Sequence, residues 1–273
     1  MEKVFKALTI AGSDSGGGAG IQADLKTFQE LGVYGMSAIT AVTAQNTLGV
    51  QGVYPLTVEA VREQIQSIGD DMGTDAVKTG MLFSSELIKA VAEQIQKFEI
   101  ANLVVDPVMI AKGGAPLLKT EAISALITYL IPLATVVTPN IPEAETLTGL
   151  KIDNLEDRKK AAKQIKDLGA KFVIIKGGHG EENESMDLLY DGEEYTQFVS
   201  KRVETKHTHG TGCTFAAAIT AELAKGHDIR EAVQTAKSFI EAAIINQLGI
   251  GNGHGPTNHW AYQLKKAMMT DGR

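Results

Sequence analysis

Short apolar runs alternate along the chain with longer segments in which apolar residues recur three and four positions apart. Continuous runs such as Leu103-Val104-Val105 are typical of strands buried on both faces of a parallel sheet, and the longer segments are typical of amphipathic helices. The pattern predicts strands at 7–11, 37–43, 76–79, 103–106, 135–137 and 172–175, and helices at 19–31, 58–68, 86–98, 121–130, 155–168, 216–223 and 260–268.

Polar residues stand where several of these helices should begin. Thr57, Ser84 and Asn154 come just before predicted helices and can accept hydrogen bonds from the first N–H groups. Only the segments 186–190 and 195–199 indicate an antiparallel hairpin. We therefore expect a single α/β domain over residues 1–273, with a mostly parallel central sheet, helices on both faces and an antiparallel edge.

Composition then narrows the classes of function. The 273 residues are 44% hydrophobic and carry a formal net charge of -7, so the overall field repels nucleic acids and anionic membrane surfaces. We expect neither as a partner. Two uncharged stretches, 31–58 and 122–140, are interrupted by Gly, Pro, Ser or Thr and are predicted to be core elements, not membrane spans. The single cysteine excludes an intramolecular disulfide, which fits a cytoplasmic location.

A glycine-rich turn precedes an apolar helix late in the chain, with the sequence HTHGTGCTF over residues 207–215. A helix start presents unpaired N–H groups, and glycines at 210 and 212 would let the backbone approach a phosphate closely. Cys213 would lie beside this anion hole as a candidate nucleophile or base. The alternative is a tight loop capped by Thr211 ahead of a buried helix.

Segments with candidate ligand-binding residues follow the other predicted strands. Because ligands of open α/β sheets bind beyond the carboxyl ends of the parallel strands, we expect these segments to surround one site. They are 12–20, Gln45-Asn46, Gly80-Met81, Asp106-Pro107-Val108-Met109, 138–143 and 176–180.

Two nucleotide-binding motifs can be compared with the sequence. Residues 18–23 fit the loose dinucleotide pattern G-x-G-x-x-A, but the next strand ends in Gln45-Asn46, where a dinucleotide site needs an acidic residue. No Gly-Lys pair occurs anywhere, so the P-loop pattern is absent. Neither motif is supported.

Several single residues have two interpretations each. Asn140 and Glu143, at a helix started by proline, could face a metal-water cluster or could simply cap the helix. Lys176 could bind phosphate or be a solvated lysine at a strand end, and Asp106 could be a turn residue or a metal-shell carboxylate. The histidines show no zinc-binding spacing, and we expect His209 to orient its loop.

An ordered set of motifs extends over nearly the whole chain. Its members are Leu8-Thr9-Ile10-Ala11-Gly12-Ser13-Asp14, 16–24, Thr43-Ala44-Gln45-Asn46, Lys78-Thr79-Gly80-Met81, Asp106-Pro107-Val108-Met109, Thr138-Pro139-Asn140 with Glu143, Lys176-Gly177-Gly178-His179, and 209–214. Together they resemble the ribokinase-like superfamily, and within it the hydroxymethylpyrimidine/phosphomethylpyrimidine kinases of thiamine biosynthesis. The resemblance implies a three-layer sandwich without a separate lid domain.

The resemblance also implies roles at the phosphate end of a site. Gly210, Gly212 and Cys213 would form the catalytic anion hole, and Cys213 would act as a base whose pKa the helix start lowers. ATP would be bound through its phosphates by Lys176, with Thr211 nearby. Mg²⁺ and its waters would be organised by a further set of polar residues, namely Asn140, Glu143 and Asp106.

At the other end the resemblance implies an aminopyrimidine pocket. Gln45 would donate to and accept from the ring, whereas related pyridoxal kinases tend to have methionine there. The remaining pocket residues would be Gly12, Asp24, Met81 and Val108. The implied reaction is ATP-dependent phosphorylation of 4-amino-5-hydroxymethyl-2-methylpyrimidine and then of its monophosphate, in a chain that could form a homodimer. The alternatives are a pyridoxal or pyridoxine kinase and a regulator that binds a pyrimidine or nucleotide without catalysis.

Overall fold

Helices and strands alternate in the computed structural model, which describes residues 3–109, 120–178 and 184–271. His179, part of one motif above, lies outside these ranges. The strands are β1 (Lys6–Asp14), β2 (Tyr34–Asn46), β3 (Gly49–Pro55), β4 (Ala76–Thr79), β5 (Leu103–Val105), β6 (Val136–Val137), β7 (Phe172–Ile175), β8 (Glu184–Tyr190) and β9 (Tyr195–Lys201). The helices are α1 (Gly20–Glu30), α2 (Val58–Asp71), α3 (Ser85–Lys97), α4 (Thr120–Ala125), α5 (Ile141–Thr148), α6 (Leu155–Asp167), α7 (Thr211–Ala224), α8 (Ile229–Ile245) and α9 (Ala261–Asp271).

The predicted helix caps are confirmed. The side chain of Thr57 accepts the N–H of Ala60 at the start of α2, and Ser84 accepts the N–H of Leu87 at the start of α3. Asn154 does the same for α6. These bonds satisfy donors that the first helical turn otherwise leaves unpaired, so each helix begins at a defined residue.

The nine strands of the described residues form one sheet in the order β3-β2-β1-β4-β5-β6-β7-β8-β9. Six adjacent strands run parallel to one another, namely β2, β1, β4, β5, β6 and β7. The strands β8 and β9 continue the sheet as the predicted antiparallel hairpin. The mostly parallel sheet with an antiparallel edge is therefore confirmed. Its parallel strands all end at the same edge, which is where the site must be sought.

Helices cover both faces of this sheet. One apolar core includes Val61 of α2 and Ile88 of α3, and the other includes Phe28 of α1, Ile219 of α7 and Phe239 of α8. The side chains of successive strand residues point to opposite faces, so Leu103 and Val105 belong to the first core and Val104 to the second. The predicted arrangement of helix, sheet and helix layers is thus confirmed.

The other edge of the sheet differs from the prediction. β3 pairs antiparallel with β2 through a turn at Thr47-Leu48, so this edge too is a hairpin. The sequence pattern does not predict a strand here, because the residues Gly49 to Pro55 include two glycines and a proline, which weaken the apolar alternation. In the described part of the chain, no helix has the length and apolar character that crossing a membrane requires.

Candidate active site

A cavity of about 910 Å³ opens at the carboxyl ends of the parallel strands. Each of the six parallel strands supplies lining residues from its last positions or from the loop that follows it. They include Gly12 from β1, Gln45 from β2, Met81 after β4, Val108 after β5, Asn140 after β6 and Lys176 after β7. Segments far apart in the sequence are therefore brought to one site, as expected for an open α/β sheet.

The start of α7 forms one wall of the cavity. Its N-cap is Gly210, with a φ of 83° and no capping bond from a side chain. A Cβ at this position would lie 1.7 Å from the carbonyl oxygen of Gly18, so only glycine fits. The hydroxyl of Thr211 donates to the carbonyl of Thr208, which makes the alternative of Thr211 as helix cap wrong. The N–H of Thr211 donates to the carbonyl of Thr208, and no side chain caps the helix start.

Lys176 lies beside this helix start. A Cβ built on Gly212 would be 3.4 Å from the Lys176 ammonium, which in turn is 2.9 Å from Oδ1 of Asp106. Burial opposes the charge on Lys176, but Asp106 and Glu143 outweigh it and raise the pKa of the lysine. Lys176 is therefore a cation at the helix start, and the interpretation as an ordinary solvated lysine is wrong.

Asn140 and Glu143 form a capping box at the start of α5. The side chain of Asn140 accepts the N–H of Glu143, and the carboxylate of Glu143 accepts the N–H of Asn140. Both residues also line the cavity, so capping and a role in the site are compatible. Burial and the charge of Asp106 raise the pKa of Glu143 to about 7, against the opposing effect of Lys176.

Cys213 occupies the first turn of α7 and lines the cavity. The expectation that the helix start lowers its pKa is wrong: burial raises the pKa of the thiol to about 11, although Lys78 and a hydrogen bond from the N–H of Gly20 favour the thiolate. The loss of hydration of a thiolate at this position outweighs the stabilising charge of Lys78.

Behind Cys213 lies a buried ion pair that the sequence did not reveal. Lys78 lines the cavity, and its ammonium is 2.9 Å from the carboxylate of Asp24, which also accepts the hydroxyl of Thr9 at 2.6 Å. Burial opposes the charge on Lys78, but Asp24 raises its pKa above the ordinary value. Asp24 itself is fully buried and is not part of the cavity lining, in contrast to the expectation that it contacts substrate.

The glycine-rich loop after β1 is organised by Asp14. Its carboxylate accepts the N–H groups of Gly16, Gly18 and Ala19, and Nε2 of His209 lies 2.9 Å away. Burial opposes the charge, but the interaction with His209 and the hydrogen bonds from the N–H groups of Gly16 and Ala19 outweigh it and lower the pKa of Asp14, so the carboxylate is ionised. His209 thus joins the loop before α7 to the loop after β1, which matches the orienting role expected of it.

A second polar pair fixes the loop that follows Lys176. The N–H of Gly177 donates to Asp187 over 2.8 Å, and the Lys237 ammonium is 2.7 Å from the other oxygen of that carboxylate. A Cβ at Gly177 would lie 1.9 Å from the carbonyl oxygen of Met186, so the loop packs tightly on β8. Neither Asp187 nor Lys237 could be found from the sequence, because each contact joins elements far apart in the chain.

The three-layer fold, with an uncapped helix start and a lysine beside it at the carboxyl edge of the sheet, is that of the ribokinase-like class of kinases. Comparison with known proteins is more specific. Residues 14–258 match the family model for phosphomethylpyrimidine kinase. The chain belongs to the phosphomethylpyrimidine kinase family and is a kinase, as the sequence motifs implied.

Individual relatives agree with this assignment. The chain is 60% identical to the hydroxymethylpyrimidine/phosphomethylpyrimidine kinase of Bacillus subtilis strain 168, over 95% of this chain and 96% of the relative. It is similar to the solved structure of the Bacillus subtilis pyridoxal kinase in complex with ADP, with a TM-score of 0.90, 47% identity, and coverage of 96% and 100% of the two chains. For the phosphomethylpyrimidine kinase of Clostridium difficile 630 the TM-score is 0.79 at 49% identity, covering 88% and 99%.

Proposed function

We propose that this kinase transfers a phosphoryl group from ATP to the hydroxymethyl group of 4-amino-5-hydroxymethyl-2-methylpyrimidine and then to the resulting monophosphate, yielding the diphosphate used in thiamine biosynthesis. The observation that carries the proposal is the position of Lys176 beside the uncapped start of α7, in the cavity that Gln45 also lines. The high identity to a relative with these two named activities supports it.

ATP is the proposed donor. A structural relative was solved with ADP bound, and this chain has the groups that a nucleotide phosphate needs. Lys176, the N–H groups of Gly212 and Cys213, and Thr211 would surround the transferring phosphoryl group. Charge spreads over its equatorial oxygens in the transition state, so fixed donors and a buried cation supply most of the stabilisation.

Mg²⁺ is the proposed metal, bound together with the ATP phosphates. In the described residues no group of three or more His, Cys, Asp or Glu is arranged to hold a metal ion. Two buried carboxyl groups, Asp106 and Glu143, nevertheless both interact with Lys176, and burial together with the charge of Asp106 raises the pKa of Glu143. This arrangement fits Mg²⁺, which keeps several waters and binds one or two carboxylates plus substrate phosphates. Asn140, Glu143 and Asp106 would hold those waters.

Cys213 is proposed to receive the proton of the substrate hydroxyl. The thiolate is required for this, and Lys78 favours it while burial opposes it. Phosphoryl transfer has a loose transition state that needs little help from a base, so the contribution of Cys213 is expected to be smaller than that of Lys176. Single-turnover rates of Cys213→Ala and Cys213→Ser test the role; near-wild-type rates in both would remove the thiol from the chemistry.

A kinase assay with a panel of acceptors tests the proposed function. The panel contains the hydroxymethylpyrimidine, its monophosphate, pyridoxal and pyridoxine, with ADP release and product mass as readouts. We expect turnover of both pyrimidines, and no turnover of either would reject the proposal. Absence of ADP release with every acceptor would instead indicate a binding protein without catalysis.

A pyridoxal kinase activity is the second candidate. It is favoured by the similarity to the Bacillus subtilis pyridoxal kinase structure. Gln45 at the cavity wall favours the aminopyrimidine, because its amide can donate to a ring nitrogen and also accept from the exocyclic amine. The ratio of kcat/KM for the pyrimidine and for pyridoxal decides which activity is the main one.

A further inference from the structure

Four polar side chains form a row from the glycine-rich loop to the wall of the cavity. Nε2 of His209 is 2.9 Å from Asp14 and 3.2 Å from the Nε2 position of the Gln45 amide. The other end of that amide, its Oε1 position, is 3.2 Å from the hydroxyl of Thr43. The hydroxyl of Thr43 is in turn 2.8 Å from the carbonyl oxygen of Ser13. Each contact has hydrogen-bond length, so the protons can be counted along the row.

The Asp14 carboxylate at one end of the row determines where the hydrogen of His209 lies. Its carboxylate is ionised and already accepts three backbone N–H groups, so it can offer His209 only lone pairs. Nε2 of His209 must therefore carry a hydrogen that points towards Asp14. A nitrogen that carries a hydrogen cannot accept one from an amide NH₂ group. The atom of Gln45 that faces His209 is then the amide oxygen, which can share the Nε2 hydrogen as a second acceptor, whereas an NH₂ group at this position would place two donors against each other.

The contact with Thr43, at the other end of the amide, requires the same orientation of Gln45. Its hydroxyl has one hydrogen, which is directed to the carbonyl of Ser13 at 2.8 Å. The hydroxyl oxygen can therefore only accept from Gln45. The group of the amide that faces Thr43 must be the NH₂ group. Both neighbours of Gln45 thus call for the same orientation of its amide, the one in which no two donors and no two acceptors of the row face each other.

We propose that Asp14 and His209 are positioning residues that fix the orientation of the Gln45 amide and thereby set the acceptor preference of the enzyme. One lone pair of the Gln45 oxygen and one N–H of its NH₂ group remain available to a ligand in the cavity, and their relative positions are fixed. An aminopyrimidine offers a ring nitrogen that accepts next to an amine that donates, so it matches only one order of the two. Pyridoxal carries no such edge. This inference rests on the proposed function.

The backbone around His209 is held independently of its side chain. Its N–H donates to the carbonyl of Gly255 at 3.1 Å, and its carbonyl accepts the N–H of Thr257 at 3.3 Å. Replacement of the imidazole should therefore leave the loop before α7 in place. That separation makes the orientation of Gln45 testable apart from the fold.

The test compares kcat/KM for the hydroxymethylpyrimidine and for pyridoxal at saturating ATP in the wild type and in His209→Phe. We expect kcat/KM for the pyrimidine to fall about 10-fold or more, mainly through KM, while the value for pyridoxal changes by less than about 3-fold. His209→Gln keeps an NH₂ donor that can serve both Asp14 and Gln45, so it should restore most of the preference. Thr43→Val removes the acceptor on the other side of the amide and should lower the preference in the same direction.

A matched control is His227→Phe, which removes a histidine paired with a carboxylate, Glu222, at the far end of α7. It should leave the preference unchanged. Equal losses for both acceptors in His209→Phe and in Thr43→Val, or an unchanged preference in both, would overturn the inference. If His209→Phe does not fold, Thr43→Val decides alone. Failure of the wild type to phosphorylate the pyrimidine would reject the proposed function instead. The wild-type measurement therefore shows whether the proposed function or the role of His209 has failed.

Discussion

The ammonium of Lys78 lies 2.9 Å from the carboxylate of Asp24, and neither side chain is exposed to solvent. The two charges act on Cys213 in opposite directions: Lys78 lowers the pKa of the thiol and Asp24 raises it. The pair therefore belongs to the electrostatics of the site, although only Lys78 reaches the cavity wall. Loss of one partner would leave the other charge buried without compensation.

The first prediction concerns the stability that depends on this pair. Asp24→Asn should lower the free energy of unfolding by about 3–5 kcal/mol, because a buried ammonium loses its counter-ion. The double variant Asp24→Asn/Lys78→Met should be clearly more stable than the single one, since no buried charge remains. Urea denaturation measures both. A double variant as unstable as Asp24→Asn would contradict the prediction, and Lys151→Met, at the exposed pair with Asp153, serves as a control with no expected change.

The second prediction concerns the reactivity of Cys213. It is the only cysteine, so alkylation by iodoacetamide reports on this thiol alone. With a pKa of about 11, the thiolate fraction and hence the alkylation rate should rise about 10-fold per pH unit across the range from neutral to mildly alkaline. Quench-flow or mass spectrometry gives the rate. A plateau that begins below pH of about 8 would show an activated thiolate and contradict this account.

Much of the fold could be predicted because its causes are local. Strands such as Phe172–Ile175 are continuous apolar runs, and caps such as Ser84 are single residues that act on the next turn. The strand Gly49–Pro55 cannot be predicted in this way, since it is stabilised by pairing with β2 and its own composition is unfavourable for a strand. Local propensity predicts poorly at a sheet edge, where tertiary contacts decide.

The candidate site was located by the same logic but its electrostatics were not. Residues that follow parallel strands, such as Lys176 and Asp106, must meet at one edge, and they do. The partner of a buried charge cannot be predicted in the same way. A lysine in an apolar strand, such as Lys78, indicates that a counter-ion lies nearby, but the sequence does not identify that counter-ion as Asp24. The raised pKa of Cys213 likewise depends on which elements the fold packs around the thiol, and no local motif encodes that packing.

The third prediction concerns Glu143 and pH. Its pKa rises from an ordinary value of 4.5 to about 7 in the folded protein, so the folded state favours the protonated carboxyl. That contribution to stability is complete below the unfolded value and is lost as the pH rises through the folded value. Glu143→Gln keeps the capping box without the titration. Between pH of about 5 and 8 the wild type should therefore lose roughly 2 kcal/mol more stability than the variant.

Urea denaturation at a series of pH values measures this difference. Glu156→Gln, on the first turn of α6, gives the matched control because it removes an exposed carboxylate near a helix start. It should follow the wild-type slope. Identical slopes for the wild type and Glu143→Gln would show that Glu143 does not hold a proton in the folded protein.

The fourth prediction concerns the acceptor. Gln45→Met removes both the donor and the acceptor that the amide offers to the cavity. We expect kcat/KM for the aminopyrimidine to fall about 10–100-fold, whereas pyridoxal is unaffected or improved. Steady-state kinetics with both acceptors measure the change. Gln51→Met on the neighbouring strand β3 is the control, and an unchanged preference in Gln45→Met would defeat the role given to the amide.

The fifth prediction separates the architecture of the anion hole from its chemistry. Gly210 has a φ of 83°, and a Cβ there would lie 1.7 Å from the carbonyl oxygen of Gly18, so Gly210→Ala should lower both stability and activity. At Gly212 the Cβ would meet only the Lys176 ammonium, at 3.4 Å. Gly212→Ala should therefore fold normally, yet lower kcat by about 10²-fold or more, because a methyl group occupies the space between helix start and lysine.

A third glycine supplies the control for backbone strain. Gly226, just beyond the end of α7, has a φ of 86° and no atom within 4 Å of its Cβ position. Gly226→Ala should cost only about 1–2 kcal/mol, the penalty for the left-handed conformation itself. Any larger loss in Gly210→Ala then measures the clash with Gly18. Thermal unfolding and kcat of the three variants test the scheme, and a Gly212→Ala enzyme with wild-type kcat would show that phosphate does not bind between α7 and Lys176.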